Sequence, residues 1–262
     1  LSLHDALPIY MTPASTSSFQ AFHSTILDQA GLNCHAVFDL HRLPKELRDA
    51  IFEVCPEAGQ YSQLWMFANG GPQFWEAFCT YRQQHTETID HPMDNFARET
   101  VAIFLQEQNL NRQFQFIYPG PYVLNLQSLG RLIGWHHDTP LKIGLHPFYG
   151  LWFAYRVVVL VNADWPTTPL ADSESISPCQ TCVSKACISR CLAGAVAEVK
   201  FNLDRCVDYR VQENSSCMQR CVSREACPVA PEHRYSDEQI HFHYAQSWNM
   251  LKAFKSSDRK SV

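Results

Sequence analysis

Eight cysteines lie within one short segment of the chain, between Cys179 and Cys227. The other three of its 11 cysteines are spread over the first third of the sequence. Thiolates are soft donors for iron, zinc and copper, and several thiolates in one segment can enclose a metal centre. The cysteines therefore constrain this segment more than its hydrophobic residues do, and they predict either a metal-bound module or a set of disulfides.

The spacing of these cysteines divides them into two runs. The first run is Cys179-x2-Cys182-x4-Cys187-x3-Cys191, and the second comprises Cys206, Cys217-x3-Cys221 and Cys227, which precedes Pro228. Two-cluster ferredoxins take three neighbouring cysteines and one remote cysteine for each cluster, so that the fourth cysteine of a run binds the other cluster. By that rule we expect two [4Fe–4S] clusters with crossed ligand sets. The sets are Cys179, Cys182, Cys187 and Cys227 for one cluster, and Cys191, Cys206, Cys217 and Cys221 for the other.

Two alternatives to iron–sulfur clusters are two zinc sites and four disulfides. Four-cysteine zinc sites usually show two CxxC pairs, whereas this segment has one. The ferredoxin pattern is also incomplete, because four residues separate Cys182 from Cys187 where bacterial ferredoxins have two. Leu192 stands where a proline usually follows the fourth cysteine. The isolated cysteines, which we expect to be ordinary thiols, are Cys34, Cys55 and Cys79.

The composition of the whole chain is that of a globular protein. It is 46% hydrophobic, 18% charged and 12% aromatic, which argues against disorder. The net charge of −5 gives no electrostatic reason for nucleic-acid binding, and apolar runs such as Val157–Val161 are too short to span a bilayer. The segment Thr12–Gln20 has no basic or apolar features of a secretory signal. We therefore expect a cytoplasmic protein with reduced thiols.

Both ends of the chain resemble the translation of a sequencing adapter. Residues 1–10 contain LSLHDALPI, and residues 258–262 read DRKSV. We therefore expect Met11 to be the natural start and set both segments aside from the fold. The alternative is a pair of genuine tails.

Hydrophobic patterns predict strands and helices before the cysteines and one helix after them. The strongest strand pattern is Trp152–Val161, which is rich in β-branched and aromatic residues, and Ser236 with Gln239 forms a capping box before the last helix. Three domains or segments follow from these patterns: a first domain over 11–165, a cysteine module over 175–232, and a C-terminal helix over 233–257 that packs back on the first domain. Further strands are predicted at 34–40, 63–68 and 113–117, and helices at 17–30, 44–54, 73–82, 94–108, 123–133 and 236–254.

The segment Gly130–Phe153 resembles the GxGWIGK…HPxxGSWFFLG region of epoxyqueuosine reductases. That family, like the reductive dehalogenases, places a cobalamin-binding, nitroreductase-like domain before two [4Fe–4S] clusters, and its cysteine order is similar to the one found here. The resemblance implies an α+β fold, in which a nitroreductase-like mixed sheet with flanking helices carries a ferredoxin-like two-cluster module.

A second resemblance is to the cobalamin C trafficking proteins, which are cytosolic decyanases and dealkylases of cobalamin. His146–Arg156 (HPFYGLWFAYR) looks like their HPRFGGWFAIR segment, and Arg234–Gln239 is similar to their RYSEEQ. The cysteine module would then be an insertion before a shared C-terminal helix. Together the two resemblances cover residues 60–250.

These resemblances imply a corrinoid site in the first domain. Reductive dehalogenases use a tyrosine as proton donor, and Tyr118 stands where epoxyqueuosine reductases have an aspartate, so Tyr118 is the expected catalytic acid. The alternative for Tyr118 is a packing role. His136 and His137 are further candidate contacts of the corrin ring or a metal. The expected cofactor-binding residues are Gly130, Gly134, Trp135, His146, Gly150, Trp152, Phe153 and Arg156.

The function that we expect is an iron–sulfur oxidoreductase. It would pass single electrons through two [4Fe–4S] clusters to a corrinoid, either to cleave a substrate bond or to reduce and process the cobalamin. A reduced ferredoxin or flavodoxin-type protein would donate the electrons, and neither nucleic acid nor membrane is expected as a partner. The alternatives are a ferredoxin-like electron carrier without its own catalytic site and a zinc-stabilised interaction module.

Overall fold

The computed structural model describes residues 19–85, 90–110, 113–171 and 176–258. Both adapter-like segments therefore lie outside the described residues, apart from Asp258. The described strands are β1 (Cys34–Asp39), β2 (Gln63–Gly70), β3 (Phe114–Tyr118) and β4 (Phe153–Val161). The described α-helices are α1 (Thr25–Gln29), α2 (Lys45–Val54), α3 (Gln73–Gln84), α4 (Pro92–Glu107), α5 (Leu126–Leu132), α6 (Pro178–Thr181), α7 (Ala186–Ser189), α8 (Leu203–Arg210), α9 (Val222–Glu225) and α10 (Asp237–Asp258).

The strands form one sheet in the order β1-β2-β4-β3. All three strand pairs are antiparallel, and the central residue Trp65 lies opposite both Val37 and Val159. The α+β class and the flanking helices are confirmed, whereas the sheet is antiparallel rather than mixed. Continuously buried strands such as β2 arise here without parallel pairing, because helices cover both faces of the sheet.

Alternate residues of β4 enter two hydrophobic cores on opposite faces of the sheet. Val157, Val159 and Val161 pack with side chains of α3 and α4. Val158 and Leu160 pack on the other face with side chains of α2 and α5. This alternation follows from the two-residue period of a strand, and it makes β4 the element that joins the two cores.

A β-bulge interrupts the pairing of β4 near its start. Phe67 pairs with Val157 and Ala68 pairs with Tyr155, so Arg156 has no partner residue in β2. Bulges re-aim the side chains next to them. Tyr155 packs with the α2 and α5 face, whereas the Arg156 guanidinium lies over the Phe74 ring on the α3 face.

The last helix begins as the sequence predicts, although only one arm of the capping box forms. The backbone N–H of Gln239 donates to the Ser236 hydroxyl at 3.1 Å. The Gln239 side chain is fully buried, and neither of its amide atoms makes a hydrogen bond within the described structure. Farther along α10, the Phe242 ring packs on Trp75 and Phe78 of α3, with ring centroids 5.0 and 5.8 Å apart. The C-terminal helix therefore packs against the first domain.

The cysteine module consists of short helices joined by turns. Between residues 176 and 236, the described chain has α6 to α9 and no strand. Its hydrophobic core is small and is shared with the first domain, because Leu141, Leu145 and Leu151 pack there with Val196 and Cys227. A ferredoxin-like arrangement of this module stays a prediction.

None of the helices described here is both long and apolar enough to cross a membrane.

Candidate functional site

The charges that raise the pKa values of the clustered thiols come from two sets of neighbouring cysteines. Burial raises the pKa of the Cys227 thiol most, and the charges of Cys179, Cys187 and Cys182 raise it further. We call these four the first thiol group. The second thiol group consists of Cys191, Cys206, Cys217 and Cys221.

In the second group, as in the first, burial and the charges of neighbouring thiols raise pKa values. The pKa of Cys206 is raised to about 11 by burial and then by the charges of Cys221, Cys191 and Cys217. Cys217 is likewise influenced by Cys221 and Cys191. The charges of the three leading cysteines thus act on the pKa of Cys227, and the charge of Cys191 acts on the pKa values of Cys206 and Cys217. The crossed ligand sets of two clusters stay a prediction.

Backbone N–H groups point at some of these sulfurs. The Ala195 N–H donates to Cys191 Sγ at 3.3 Å. Although burial raises the pKa of Cys191, the N–H groups of Ala195 and Val196 lower it overall. Such bonds favour the thiolate, which is the form that binds metal.

The short helices of the module place the thiols. α6 begins at Pro178, and the Ser177 hydroxyl accepts from the Cys179 N–H at 3.3 Å. Lys185 reaches back to the Cys179 carbonyl oxygen at 2.7 Å. In the second group, Arg210 of α8 donates to the Cys217 carbonyl oxygen at 3.2 Å. The loops that carry the thiols are therefore tied to each other by side chains of the module itself.

Among the described residues, no three His, Cys, Asp or Glu side chains converge closely enough to hold a single metal ion. All 11 cysteines are free thiols. A four-iron cluster does not require its thiolates to meet at one point, because each sulfur binds a different iron. The donor set, four thiols in each of two groups with none left over, fits two such clusters better than two zinc ions, each of which needs four sulfurs at about 2.3 Å.

The first thiol group borders a cleft against the first domain. This module cleft has a volume of about 610 Å³. Cys179 and Lys185 line it from the module, and Arg131, His136 and His137 line it from the first domain. The cleft is therefore polar, and its wall on the module side includes Cys179, a candidate metal ligand.

A second cleft adjoins the first through His136, which lines both. We call it the tyrosine cleft. Its volume is about 620 Å³, and its walls include Leu124, Ile143, Phe153 and Tyr155. Each cleft falls within the ordinary size range of ligand-binding pockets.

Tyr155 is the functional candidate that the sequence interpretation missed. Its hydroxyl is buried and makes no hydrogen bond within the described structure, and burial raises its pKa. Gly130 provides the space for this hydroxyl, because a Cβ at that position would collide with it. The two-residue period of β4, counted from Phe153, is the signal that could have identified Tyr155 as a second residue of the same wall.

His136 is held as a neutral imidazole between the two clefts. Burial and the charge of Arg131 lower its pKa, and this effect exceeds the opposing effect of Asp138. Its Nε2 lies 3.5 Å from the Asp138 carboxylate, which in turn pairs with Arg131 at 2.6 Å. Gly144 has no side chain where His136 packs against it.

The histidine of the HPFYG motif lies inside the fold rather than in either cleft. His146 is fully buried, and its Nδ1 accepts from the N–H groups of Phe148 and Tyr149 at 3.1 and 3.2 Å. Its backbone also exchanges two hydrogen bonds of 2.8 Å with Gly150. Burial lowers its pKa to about 3. His146 therefore holds the turn, and its ring supports Phe153 from behind at a centroid distance of 4.6 Å.

Gly150 makes room for the cysteine module. Its φ is +58°, and a Cβ there would lie 2.5 Å from the Val229 carbonyl oxygen and 3.2 Å from Ala230 Cβ. Val229 follows Cys227 by two residues, so the segment that carries this thiol lies directly on the HPFYG turn. Gly134 also has a positive φ, of +74°, and Trp135 beside it is buried.

Trp152 and Arg156 lie at a polar junction between the first domain, the module and α10. The Trp152 ring is fully buried under the Arg224 guanidinium at 4.6 Å, and Arg224 donates to the Leu151 carbonyl oxygen at 2.7 Å. The buried Arg156 donates to Asn69 Oδ1 at 2.6 Å, and no carboxylate in the described chain is within ion-pair distance of it.

Several polar atoms of this junction have no hydrogen-bond partner within the described structure. The pKa of His243, between the two arginines, is lowered to about 3 by burial and by their charges. The junction lies on the opposite face of the sheet from the tyrosine cleft. The unpartnered groups are Trp152 Nε1, Arg224 Nε, Tyr235 Oη, both amide atoms of Gln239, and His243 Nε2.

Tyr118 lines neither cleft. Burial raises its pKa most, the charge of Asp94 raises it further, and the charge of Arg156 opposes both. The expected site residues are thus divided: Phe153 lines the tyrosine cleft, Gly130 shapes it, and Tyr118 is electrostatically coupled to Arg156 outside it.

No protein-family model matches the chain, and no curated protein matches it in sequence. Among solved structures, it is similar to a B12-trafficking protein, CblC, from C. elegans, with 16% identity, a TM-score of 0.47 and coverage of 83% of this chain and 88% of that one. It is also similar to epoxyqueuosine reductases from Streptococcus thermophilus (12% identity, TM-score 0.48, 78% and 64% coverage) and Bacillus subtilis (12% identity, TM-score 0.49, 81% and 66% coverage). The chain spans about two thirds of the length of these reductases. Both families that the sequence motifs resemble are thus among the structures that the chain resembles.

Replacing Gly150 with alanine should loosen the contact between module and first domain. We expect Gly150→Ala to lower the free energy of unfolding by about 1–3 kcal/mol more than Gly194→Ala, measured by denaturant unfolding. Gly194 is the matched control, because its φ is +57° but no atom lies within 4 Å of the Cβ position. Both variants carry the same backbone strain of about 1–2 kcal/mol, so equal losses would contradict the packing role of Gly150.

Proposed function

We propose that this protein is an iron–sulfur oxidoreductase that delivers single electrons through two [4Fe–4S] clusters to a corrinoid. One observation carries the proposal: Cys179, whose charge acts on the pKa of Cys227, forms part of the wall of a cleft against the first domain. Electrons held at the first group would have only the width of that cleft to cross.

The two thiol groups would hold the clusters. The first group combines Cys227 with three cysteines from the α6 and α7 region, and its polypeptide contacts the first domain at Gly150. The second group comes from the loop after α7, from α8 and from the segment before α9. The N–H group that donates to Cys191 Sγ would also tune the potential of its cluster, since hydrogen bonds to sulfur stabilise the more negative state.

The adjoining clefts would hold the corrinoid. A bound corrinoid would supply a cobalt centre that accepts single electrons and supports reductive bond cleavage. The mainly apolar tyrosine cleft suits a flat macrocycle, and the more polar module cleft suits the amide groups at its edge. The unpartnered Tyr155 hydroxyl is the observation that favours a ligand there, because a buried donor without a partner costs about 1–3 kcal/mol.

The direct contacts of this cofactor are a narrower set than the sequence motifs imply. We assign contact to His136, Phe153 and Tyr155. Gly130, Gly134, Trp135 and His146 would act by shaping and supporting the wall, whereas Gly150, Trp152 and Arg156 would act by holding the module and its junction in place. The role of Tyr118 as a proton donor stays a prediction of the resemblance.

The proposed function needs a reducing, cytoplasmic environment, in which the thiols stay available to bind metal. A reduced ferredoxin or flavodoxin-type protein would supply electrons there. The competing function, an electron carrier without its own catalytic site, differs in one measurable respect: it needs no corrinoid in the clefts.

Cobalamin binding separates the two functions. Anaerobically purified protein titrated with cob(II)alamin should shift the absorption spectrum of the corrinoid to its base-off form and, after addition of excess dithionite, reduce the bound cobalt. Cys206→Ser should remove most of the reduction but little of the binding, whereas Cys79→Ser, outside both thiol groups, should change neither. A spectrum that stays unchanged at saturating cobalamin would support the carrier function instead.

The Tyr155 hydroxyl provides a test of the cleft itself. Tyr155→Phe should leave the free energy of unfolding unchanged or raise it by about 1 kcal/mol, because it deletes an unsatisfied buried group. The same variant should weaken cobalamin binding about 5- to 30-fold, as expected for one lost hydrogen bond.

Tyr81→Phe is the matched control for that variant. Its hydroxyl is also buried without a hydrogen bond, but it belongs to α3 and lines neither cleft. Unchanged cobalamin affinity in Tyr155→Phe would show that the hydroxyl contacts no ligand.

A further inference from the structure

The second thiol group lies beside a small surface formed by two neighbouring segments. The Asn202 N–H donates to the Ala195 carbonyl oxygen at 2.8 Å, and Arg205 donates to the Gly194 carbonyl oxygen at 3.5 Å. These contacts place the loop after Cys191 next to the first turn of α8. Among the exposed residues of these two segments are Arg190, Leu192, Leu203 and Arg205, and we call these four the arginine–leucine face.

Two large apolar side chains of this face are open to solvent. Leu192 is 52% exposed and Leu203 is 62% exposed. Single exposed leucines are common, but two of them on neighbouring segments above a candidate redox centre mark a surface that another protein can cover.

No carboxylate in the described chain is within ion-pair distance of the two arginines of this face. Arg220 pairs with Glu225, and Arg210 is engaged with Ser247 and the Cys217 carbonyl oxygen. Arg190 and Arg205 are exposed. Asp204, also exposed, offsets part of their charge, which leaves a positive surface on a protein of net charge −5.

The face lies beside the thiols that are not at the module cleft. Arg190 and Leu192 flank Cys191, and Arg205 precedes Cys206. The cleft, in contrast, is bordered by Cys179 of the first group. Electrons that arrive at the second group and leave from the first would therefore cross the module from this face to the cleft.

We propose that the arginine–leucine face is the docking surface for an acidic protein that carries one electron at a time. This inference rests on the proposed function, because it requires a cluster in the second thiol group. The leucines supply the apolar centre and the arginines supply the charged rim, as in the small interfaces of transient electron-transfer complexes. In each encounter the carrier loses one electron and the cluster gains it, with no bond or proton changed.

Charge reversal tests the docking surface. The probe is reduced plant-type [2Fe–2S] ferredoxin, an acidic carrier, mixed with the anaerobic protein in a stopped-flow instrument while the bleaching of the cluster absorbance is followed. We expect Arg190→Glu with Arg205→Glu to slow the bimolecular step about 10-fold or more at low salt. The difference should shrink as salt is raised, because rim charges act mainly on the rate of association.

The matched control carries the same change of charge elsewhere. Arg42 and Lys45 are exposed residues of the first domain, and Arg42→Glu with Lys45→Glu should slow the reaction less than 3-fold. Calorimetry with oxidised ferredoxin gives a second readout, in which Leu192→Ser with Leu203→Ser should weaken binding while leaving its salt dependence unchanged.

The outcomes separate the two proposals. If excess dithionite reduces the clusters of every variant to the same extent, but ferredoxin reduces the charge-reversed and parent proteins at equal rates, the docking surface is wrong and the proposed function stands. Equal slowing in both charge-reversed variants would also overturn it, since the protein's overall field would then be responsible. If the parent protein holds no cluster that dithionite can reduce, the proposed function and this inference both fail.

Discussion

The contact between Gly150 and the Val229 carbonyl determines how the two parts of this protein fit together. The HPFYG turn, closed by two hydrogen bonds between His146 and Gly150, presents a backbone without a side chain at the point where the module approaches. Because Val229 follows Cys227 so closely, the same contact fixes the last member of the first thiol group against the first domain. The loop after Trp135 and the segment that carries Cys179 line the module cleft from the two parts.

In the cysteine module, the thiols take the place that a hydrophobic core has in other domains. The module has short helices, few buried apolar residues and no described strand. Segments of this kind ordinarily need a metal or disulfides to stay folded. Burial raises the pKa of several of these thiols, such as Cys206 and Cys227, so bringing them together as thiolates without a positive charge would be unfavourable. In the proposed function iron would offset that cost, and the folding of the module would depend on its clusters.

The sequence predicts the parts of this arrangement that local patterns control. β4 follows from its run of β-branched residues, whereas the crossed grouping of the thiols stays a prediction of the cysteine spacing. The Ser236 cap also follows from local sequence. The sequence does not predict the direction of strand pairing. An antiparallel sheet that helices cover on both faces has the same continuously buried strands as a parallel sheet.

Other features depend on contacts between distant segments. Tyr155 and Arg156 point to opposite faces because side chains alternate along a strand, and the bulge puts Arg156 on the same face as Val157. The residues of one sequence motif therefore lie on two faces of the sheet. The role of Gly150 depends on a segment about 80 residues later, and the burial of His146 depends on the turn that it holds. In each case the residue type was recognisable, but its partner could not be inferred without the tertiary structure.

Iron and acid-labile sulfide analysis of the anaerobically purified protein tests the central claim most directly. Two four-iron clusters predict about eight irons and about eight sulfides per chain, with a brown colour that dithionite bleaches. A colourless protein that contains about two zinc ions and no sulfide would contradict the account.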